Sequence, residues 1–346
     1  MGRKGSTGRV ILVTGVSRQL GARVLTALQA APGVERVIGV DSAVPRSGLG
    51  GARFVRADPR DAGVAEVIEE SGADTVLHMG LVASPPNADL PEAMRENHVL
   101  GAMQVLAGCQ RSATVRRLVV RSTAAVYGER PYDPEPCTED APDPMPRFRR
   151  AGFARDAAEV ERHVRGLERR RPDLSVAVLR FANLIGPSVR TPLTSYFGLK
   201  IVPTVMGYDP RMQFIHEDDG VEVVRRMALD RGVRGVFNVA APGAMPLSQC
   251  LRRAGRPEMP VPARGLSLVG SLARRAKLDY SPHQLRALCY GRVLDVEKLR
   301  RALDWSPVYT SQEAFDAFVA ESRYTTAVPA RIFGRVTHRV RAAVGR

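Results

Sequence analysis

Lysine is nearly missing from this chain. Of 51 basic residues only Lys4, Lys200, Lys277 and Lys298 are lysines, a bias that resembles genomic base composition as much as function. No apolar run approaches the roughly 18 residues of a membrane span, which excludes a transmembrane helix. The apolar stretch from Val10 to Val16 is too short for a signal-peptide core and has no small-residue cleavage site after it. The four cysteines, Cys109, Cys137, Cys250 and Cys289, form no Cys-x-x-Cys pair. This excludes a disulfide scaffold and a common zinc site, and it fits a reducing cytoplasm. No metal site is expected. His216-Glu217-Asp218-Asp219 offers adjacent ligands with no distant partner, and reads as a turn and helix start.

What is present is a core-forming composition, 44% hydrophobic over 346 residues, enough for one large domain or two lobes. The net charge of +15 is uneven. Residues 1–10 and 323–346 hold nine basic residues and no acid, so the body is close to ordinary. That argues against nucleic acid as a partner. The segment 324–346 places Ile332, Phe333, Val336, Val340 and Val344 on one helical face beside Arg335, Arg339 and Arg346. It reads as a basic amphipathic tail with a capacity for peripheral membrane contact.

Up to Phe181, short apolar runs alternate with helical patterns. Strands are expected at 9–14, 36–40, 53–55, 75–78, 117–121 and 175–180. Helices are expected at 20–30, 62–70, 91–111 and after the proline-rich stretch 128–146. Strand-helix alternation implies a Rossmann-like, doubly wound parallel sheet in an α/β fold. Residues 1–183 form this domain, and about 214–241 return to complete its sheet. Residues 184–323 are mostly a smaller substrate lobe, interleaved with it.

The first strand runs into Thr14-Gly15-Val16-Ser17-Arg18-Gln19-Leu20-Gly21 and then a helix, the context of a dinucleotide fingerprint. Gly15 permits the sharp turn, Gly21 lets the helix pack closely, and the helix N-terminus offers N–H groups to a pyrophosphate. Asp41 ends the second strand, where a carboxylate accepts from a ribose and repels a 2′-phosphate. The expected cofactor is therefore NAD.

With these residues the chain resembles the extended short-chain dehydrogenase/reductases, the NAD-dependent epimerase/dehydratase group that includes UDP-glucose 4-epimerases. The resemblance covers roughly residues 9 to 320. Further motifs carry it. Ala57-Asp58-Pro59-Arg60-Asp61 is similar to an adenine-contacting GDxRD turn, with Asp58 in that role. Val76-Leu77-His78-Met79-Gly80 resembles VIHLA, whose backbone lies along the cofactor. Residues 179–187 resemble LRPxNxYGP, 213–219 resemble an F-I-H-V-D-D segment, and 292–307 resemble the closing D-xx-K-xxx-xLGW-x-P pattern. By resemblance the phosphate loop is Gly15, Ser17, Arg18, Gln19, Leu20 and Gly21, but one glycine is missing: Arg18 stands at the middle glycine of TGxxGxxG, or Gln19 at that of TGxxxGxG. Arg18 beside the phosphates keeps NADP as the alternative cofactor.

The resemblance also implies a Ser/Thr, Tyr and Lys triad. Thr123, in Ser122-Thr123-Ala124-Ala125-Val126-Tyr127-Gly128, matches the hydroxyl residue. The Tyr-x-x-x-Lys pair is missing. Depending on whether Glu161 or Glu159 matches the helix's glutamate, the pair becomes Phe153 and Ala157 or Ala151 and Arg155. Arg155, His78, Tyr132 and Asp133 are candidate substitutes. The only literal match, Tyr196 to Lys200, falls in the second lobe and reads as coincidence. The resemblance further implies a nucleotide-sugar-like substrate faced by Thr123, Asn183 and Arg292, redox or epimerisation chemistry, and a homodimer. A cofactor-binding regulator without catalysis is the alternative.

Overall fold

The computed structural model describes residues 8–46, 48–81, 96–128, 136–140, 152–262 and 289–325. Tyr132, Asp133, Ala151 and the tail from 326 onward lie outside the described residues. Among the described residues no helix is long and apolar enough to cross a membrane.

Along the chain run β1 (Arg9–Thr14), α1 (Gln19–Gln29), β2 (Val34–Asp41), β3 (Arg53–Arg56), α2 (Gly63–Glu70) and β4 (Thr75–His78). A π-helical turn, Glu96–Leu100, leads into α3 (Gly101–Arg111). Then come β5 (Arg117–Thr123), α4 (Gly152–Arg170), β6 (Ser175–Phe181), β7 (Asn183–Ile185), α5 (Pro192–Phe197), β8 (Val202–Val205), β9 (Arg211–Met212) and β10 (Phe214–His216). The last elements are α6 (Glu217–Leu229), β11 (Gly235–Val239), β12 (Met245–Pro246), α7 (Leu247–Ala254), β13 (Glu258–Val261), α8 (Glu297–Leu303) and α9 (Ser311–Thr325).

Seven strands form one parallel sheet in the order β3-β2-β1-β4-β5-β6-β11. Parallel strands are covered on both faces, which is why runs such as Ile11–Thr14 are buried throughout. Alternate residues feed two cores. Ile11, Val13 and Leu77 pack with Val24, Leu28 and Val223 under α1 and α6. Leu12, Val76 and Val120 pack with Ile68, Val105 and Val160 under α2, α3 and α4. Of the returning segment, only Gly235–Val239 enters this sheet, along β6. Phe214–His216 pairs instead with Asn183–Ile185 in a small ladder of its own. Helix α6 starts within the His216–Asp219 segment, because His216 Nδ1 accepts the Asp218 N–H at 3.2 Å and caps it.

The second lobe has its own core. Phe197, Phe214, Phe315 and Phe318 meet edge to face or tilted, with Tyr196 and Met212 around them. Tyr196 is buried there and its hydroxyl donates to the Pro203 carbonyl at 2.8 Å.

Arg117 locks the lower edge of the sheet. It is fully buried at the start of β5. Its Nε and Nη2 donate to the Met227 carbonyl at 2.9 and 2.7 Å, and its Nη1 donates to Ser175 Oγ at 2.8 Å and to the Val233 carbonyl. A cation at the last turn of α6 is favoured by the helix dipole. Arg117→Met strips these partners while keeping volume. It should lower unfolding free energy by roughly 3 kcal/mol or more in chemical denaturation. An unchanged midpoint and slope would contradict this role.

Candidate functional site

The strand β1 ends in a turn that tolerates no side chain. Gly15 has φ +79°, and a Cβ there would lie 2.7 Å from the Met79 carbonyl carbon and 2.8 Å from the Gly80 nitrogen. A Cβ on Gly21 would lie 2.2 Å from the Gly15 oxygen. Helix α1 therefore starts pressed against the turn. Arg18 is its N-cap residue in extended conformation, and no side chain caps the helix. The first helical bond runs from the Ala22 N–H to the Arg18 carbonyl, so among the described residues no backbone carbonyl takes the N–H groups of Gln19, Leu20 and Gly21. Such unpaired amides, with the positive end of the helix dipole, form a seat for an anion.

Asp41 at the end of β2 braces this loop. Its Oδ2 accepts the Ser17 N–H at 2.8 Å and its Oδ1 the Ser42 N–H at 2.8 Å. The Ser42 hydroxyl also donates to Oδ1 at 3.3 Å, so Oδ2 is the oxygen that keeps a lone pair for a ribose hydroxyl. Asp58 lies in its turn against Arg60. Arg60 chelates it at 3.0 and 2.7 Å and donates its own N–H at 2.9 Å, which holds the carboxyl below its ordinary range. It shapes its turn first. Gln19 also points away from the seat. Its amide reaches Ser188 and the buried Glu217, which also holds Arg23 at 2.8 Å.

At the end of β4, His78 is sealed in, with Nδ1 2.9 Å from Thr14 Oγ1 and no partner for Nε2. Met79 is fully buried beside it, and Gly80 leaves room over the His78 ring. Burial, then the nearby His98, pushes His78 down to about 4.

On the other side of the sheet, Thr123 ends β5 and its Oγ1 accepts the Ala125 N–H at 3.2 Å. Beneath it runs a buried polar chain. Ser122 donates to Glu161 at 2.6 Å, Arg180 grips Glu161 at 3.1 and 2.7 Å, and the Arg180 guanidinium lies 4.8 Å from the Tyr127 ring centre. Tyr127 donates to Asn238 at 2.7 Å, and burial pushes its hydroxyl up to about 12. Tyr127 is thus structural. On the same helix as Glu161, Ala157 is fully buried and Phe153 is half-buried, while the Arg155 side chain is turned to solvent. Asn183 is exposed and donates to the Gln213 carbonyl at 3.1 Å; Arg292 donates to the Gly128 carbonyl at 3.1 Å.

Sequence reasoning passed over one pair. His98, in the π-helical turn, is buried with Nδ1 3.4 Å from Asp156 Oδ2, and its ring meets Phe153 edge-on at 5.5 Å. Asp156 Oδ1 is buried without a hydrogen bond, with Arg155 Nε 3.6 Å away. Neither residue belongs to a motif; only the irregular helix turn, a frequent mark of function, would signal it.

The depressed His78 predicts a pH dependence. Protons bind the unfolded imidazole near its ordinary 6.5 before they bind the folded one near 4. Stability should therefore be full above about pH 6.5 and fall by about 3 kcal/mol down to pH 4. His78→Asn should flatten that fall in urea titrations. An identical slope in both proteins would contradict the assignment.

Comparison with known proteins agrees with this geometry. Residues 11–240 match the model of the NAD dependent epimerase/dehydratase family. The uncharacterized protein Rv0501 of Mycobacterium tuberculosis is 40% identical over 344 residues, covering 98% of this chain and 89% of that protein. Mb0513 of Mycobacterium bovis, also uncharacterized, is similar to the same degree. Among solved structures, the Thermus thermophilus UDP-glucose 4-epimerase complex with NAD superposes with a TM-score of 0.69 at 23% identity, covering 92% of this chain and 100% of that one. The Bacillus anthracis dTDP-glucose 4,6-dehydratase in complex with NAD gives 0.69 at 17% identity, covering 92% and 97%. The chain belongs to the NAD-dependent epimerase/dehydratase family.

Proposed function

We propose that this protein binds NAD across the carboxyl edge of its sheet and works on a nucleotide-sugar-like substrate held against the second lobe. The observation that carries the reading is the seat at α1: three amides without backbone partners behind a turn that excludes side chains. Asp41 supports NAD over NADP, since a 2′-phosphate would meet its carboxylate. NAD, when bound, supplies a hydride acceptor and donor.

The chain's own residues supply position and proton movement. The Thr123 hydroxyl, accepting from Ala125, keeps its proton to donate to a substrate oxygen. Glu161, Ala157 and Phe153 recur every four residues, and the contacts of Glu161 with Ser122 and Arg180 support the register with Phe153 at the tyrosine position and Ala157 at the lysine position. A phenylalanine holds no proton. The imidazole touching it does. Asp156 behind Nδ1 would fix the His98 tautomer and leave Nε2 to exchange a proton. His98 is thus the substitute for the lost tyrosine in this reading. Leu100 and Met103, both exposed beside this turn, support a homodimer across α3 and α4.

Protein denatured after purification should release close to one NAD(H) per chain. Asp41→Ala should lose most of it, while NADP(H) as the main species would contradict the reading. With a sugar nucleotide that is turned over, His98→Gln should lower kcat by about 10²–10⁴-fold, with NAD content unchanged. An unchanged kcat would exclude His98 as the proton carrier.

A further inference from the structure

Two arginines stand four residues apart on β5 and differ completely. Arg117 spends its guanidinium on backbone carbonyls and a hydroxyl. Arg121 has no hydrogen bond or ion pair among the described residues. Its recorded contact is with the Phe181 ring, whose centre lies 5.7 Å from the guanidinium carbon. Burial pushes Arg121 down to about 10, and no neighbouring charge offsets it. Its nitrogens are absent from the sealed-in unpartnered atoms, which are His78 Nε2, Asp156 Oδ1 and Arg256 Nε, so the guanidinium opens onto a cleft.

The register says which cleft. Thr14 of β1 is level with His78 of β4, which is level with Val120 of β5. One residue further on, Gly15, Met79 and Arg121 share one height at the carboxyl ends of the strands. Ser122 turns to Glu161 on α4, so Arg121 turns to the opposite face, that of α1 and α6. Two strand spacings, roughly 10 Å, separate its backbone from the Gly15 turn. An arginine side chain and a phosphate group together bridge such a gap. An enclosed cation without a partner costs stability, which a bound anion would offset. The phosphate loop also lacks its middle glycine: Arg18 carries a side chain where backbone would otherwise approach the ligand.

We propose that Arg121 is a binding residue for a diphosphate in this crevice, gripping from the β5 wall the group that the α1 amides hold from the other side. This rests on the dinucleotide site proposed above. The diphosphate is that of the dinucleotide or that of a sugar nucleotide, and the guanidinium recognises either through charged, forked hydrogen bonds.

Calorimetric titration of the full chain and of Arg121→Gln and Arg121→Lys with ADP-ribose and with UDP tests this. Arg121→Gln should weaken ADP-ribose about 10- to 100-fold, with Arg121→Lys between. Loss of UDP affinity with ADP-ribose unaffected would assign the same contact to the sugar nucleotide. Equal affinities of wild type and Arg121→Gln for both probes would overturn the proposal. If the wild type binds neither probe, the dinucleotide reading falls, and this proposal with it. Thermal melting without ligand separates folding from binding. The variant should melt at or above wild type, and a lower temperature would mark Arg121 as a structural residue and overturn the proposal.

Discussion

Backbone meets backbone at one point, and the rest of the crevice hangs from it. Gly15 lies against residues 79 and 80, and Gly21 lies against Gly15, at distances that any Cβ would violate. This contact draws β1, β4 and the start of α1 together. It leaves the first amides of α1 facing outward with no carbonyl to satisfy them. Asp41 holds the loop from β2, and Thr14 holds His78 from β1. A parallel sheet collects such ends on one edge because every strand points the same way. The same topology brings Thr123 and Arg121 there on β5 and Phe181 on β6.

Charge is handled in two ways in the interior. Where the protein needs rigidity, ions are fully paired. Glu161 is gripped by Arg180 and Ser122, and Arg117 by carbonyls at the end of α6. Where a ligand is to be held, polar groups stay unsatisfied. The α1 amides and the Arg121 guanidinium fall in this second group among the described residues. Such groups are expensive without a partner, and their concentration at one edge of the sheet is the physical signature of a site. In the proposed reading Phe153 keeps a ring's packing at the tyrosine position, edge-on to the His98 imidazole.

Much of the fold was legible along the chain, because it follows from short-range pattern. Runs such as Val10–Val13 and Leu118–Val120 are apolar on both faces, as a covered parallel strand requires. The stripe Phe153, Ala157, Val160, Val164 marks α4 in the same way. The glycine turn was legible because its residue types are sterically obligatory. Phe214–His216 was misplaced because a short apolar strand carries no label for the sheet it joins. The capture of Asp58 by its neighbour Arg60 is a contact that residue type alone does not reveal. His98, Asp156 and Arg121 were illegible for a different reason. None of them belongs to a motif, and each acquires meaning only when helices and strands distant in sequence close around it.

The most direct measurement is backbone amide exchange at Gln19, Leu20 and Gly21, followed by NMR with and without NAD. The account predicts that NAD slows exchange and shifts these three amides more than those of the lower sheet edge, such as Arg117. NAD that binds while these amides stay unchanged would contradict the seat at α1, and with it the central claim.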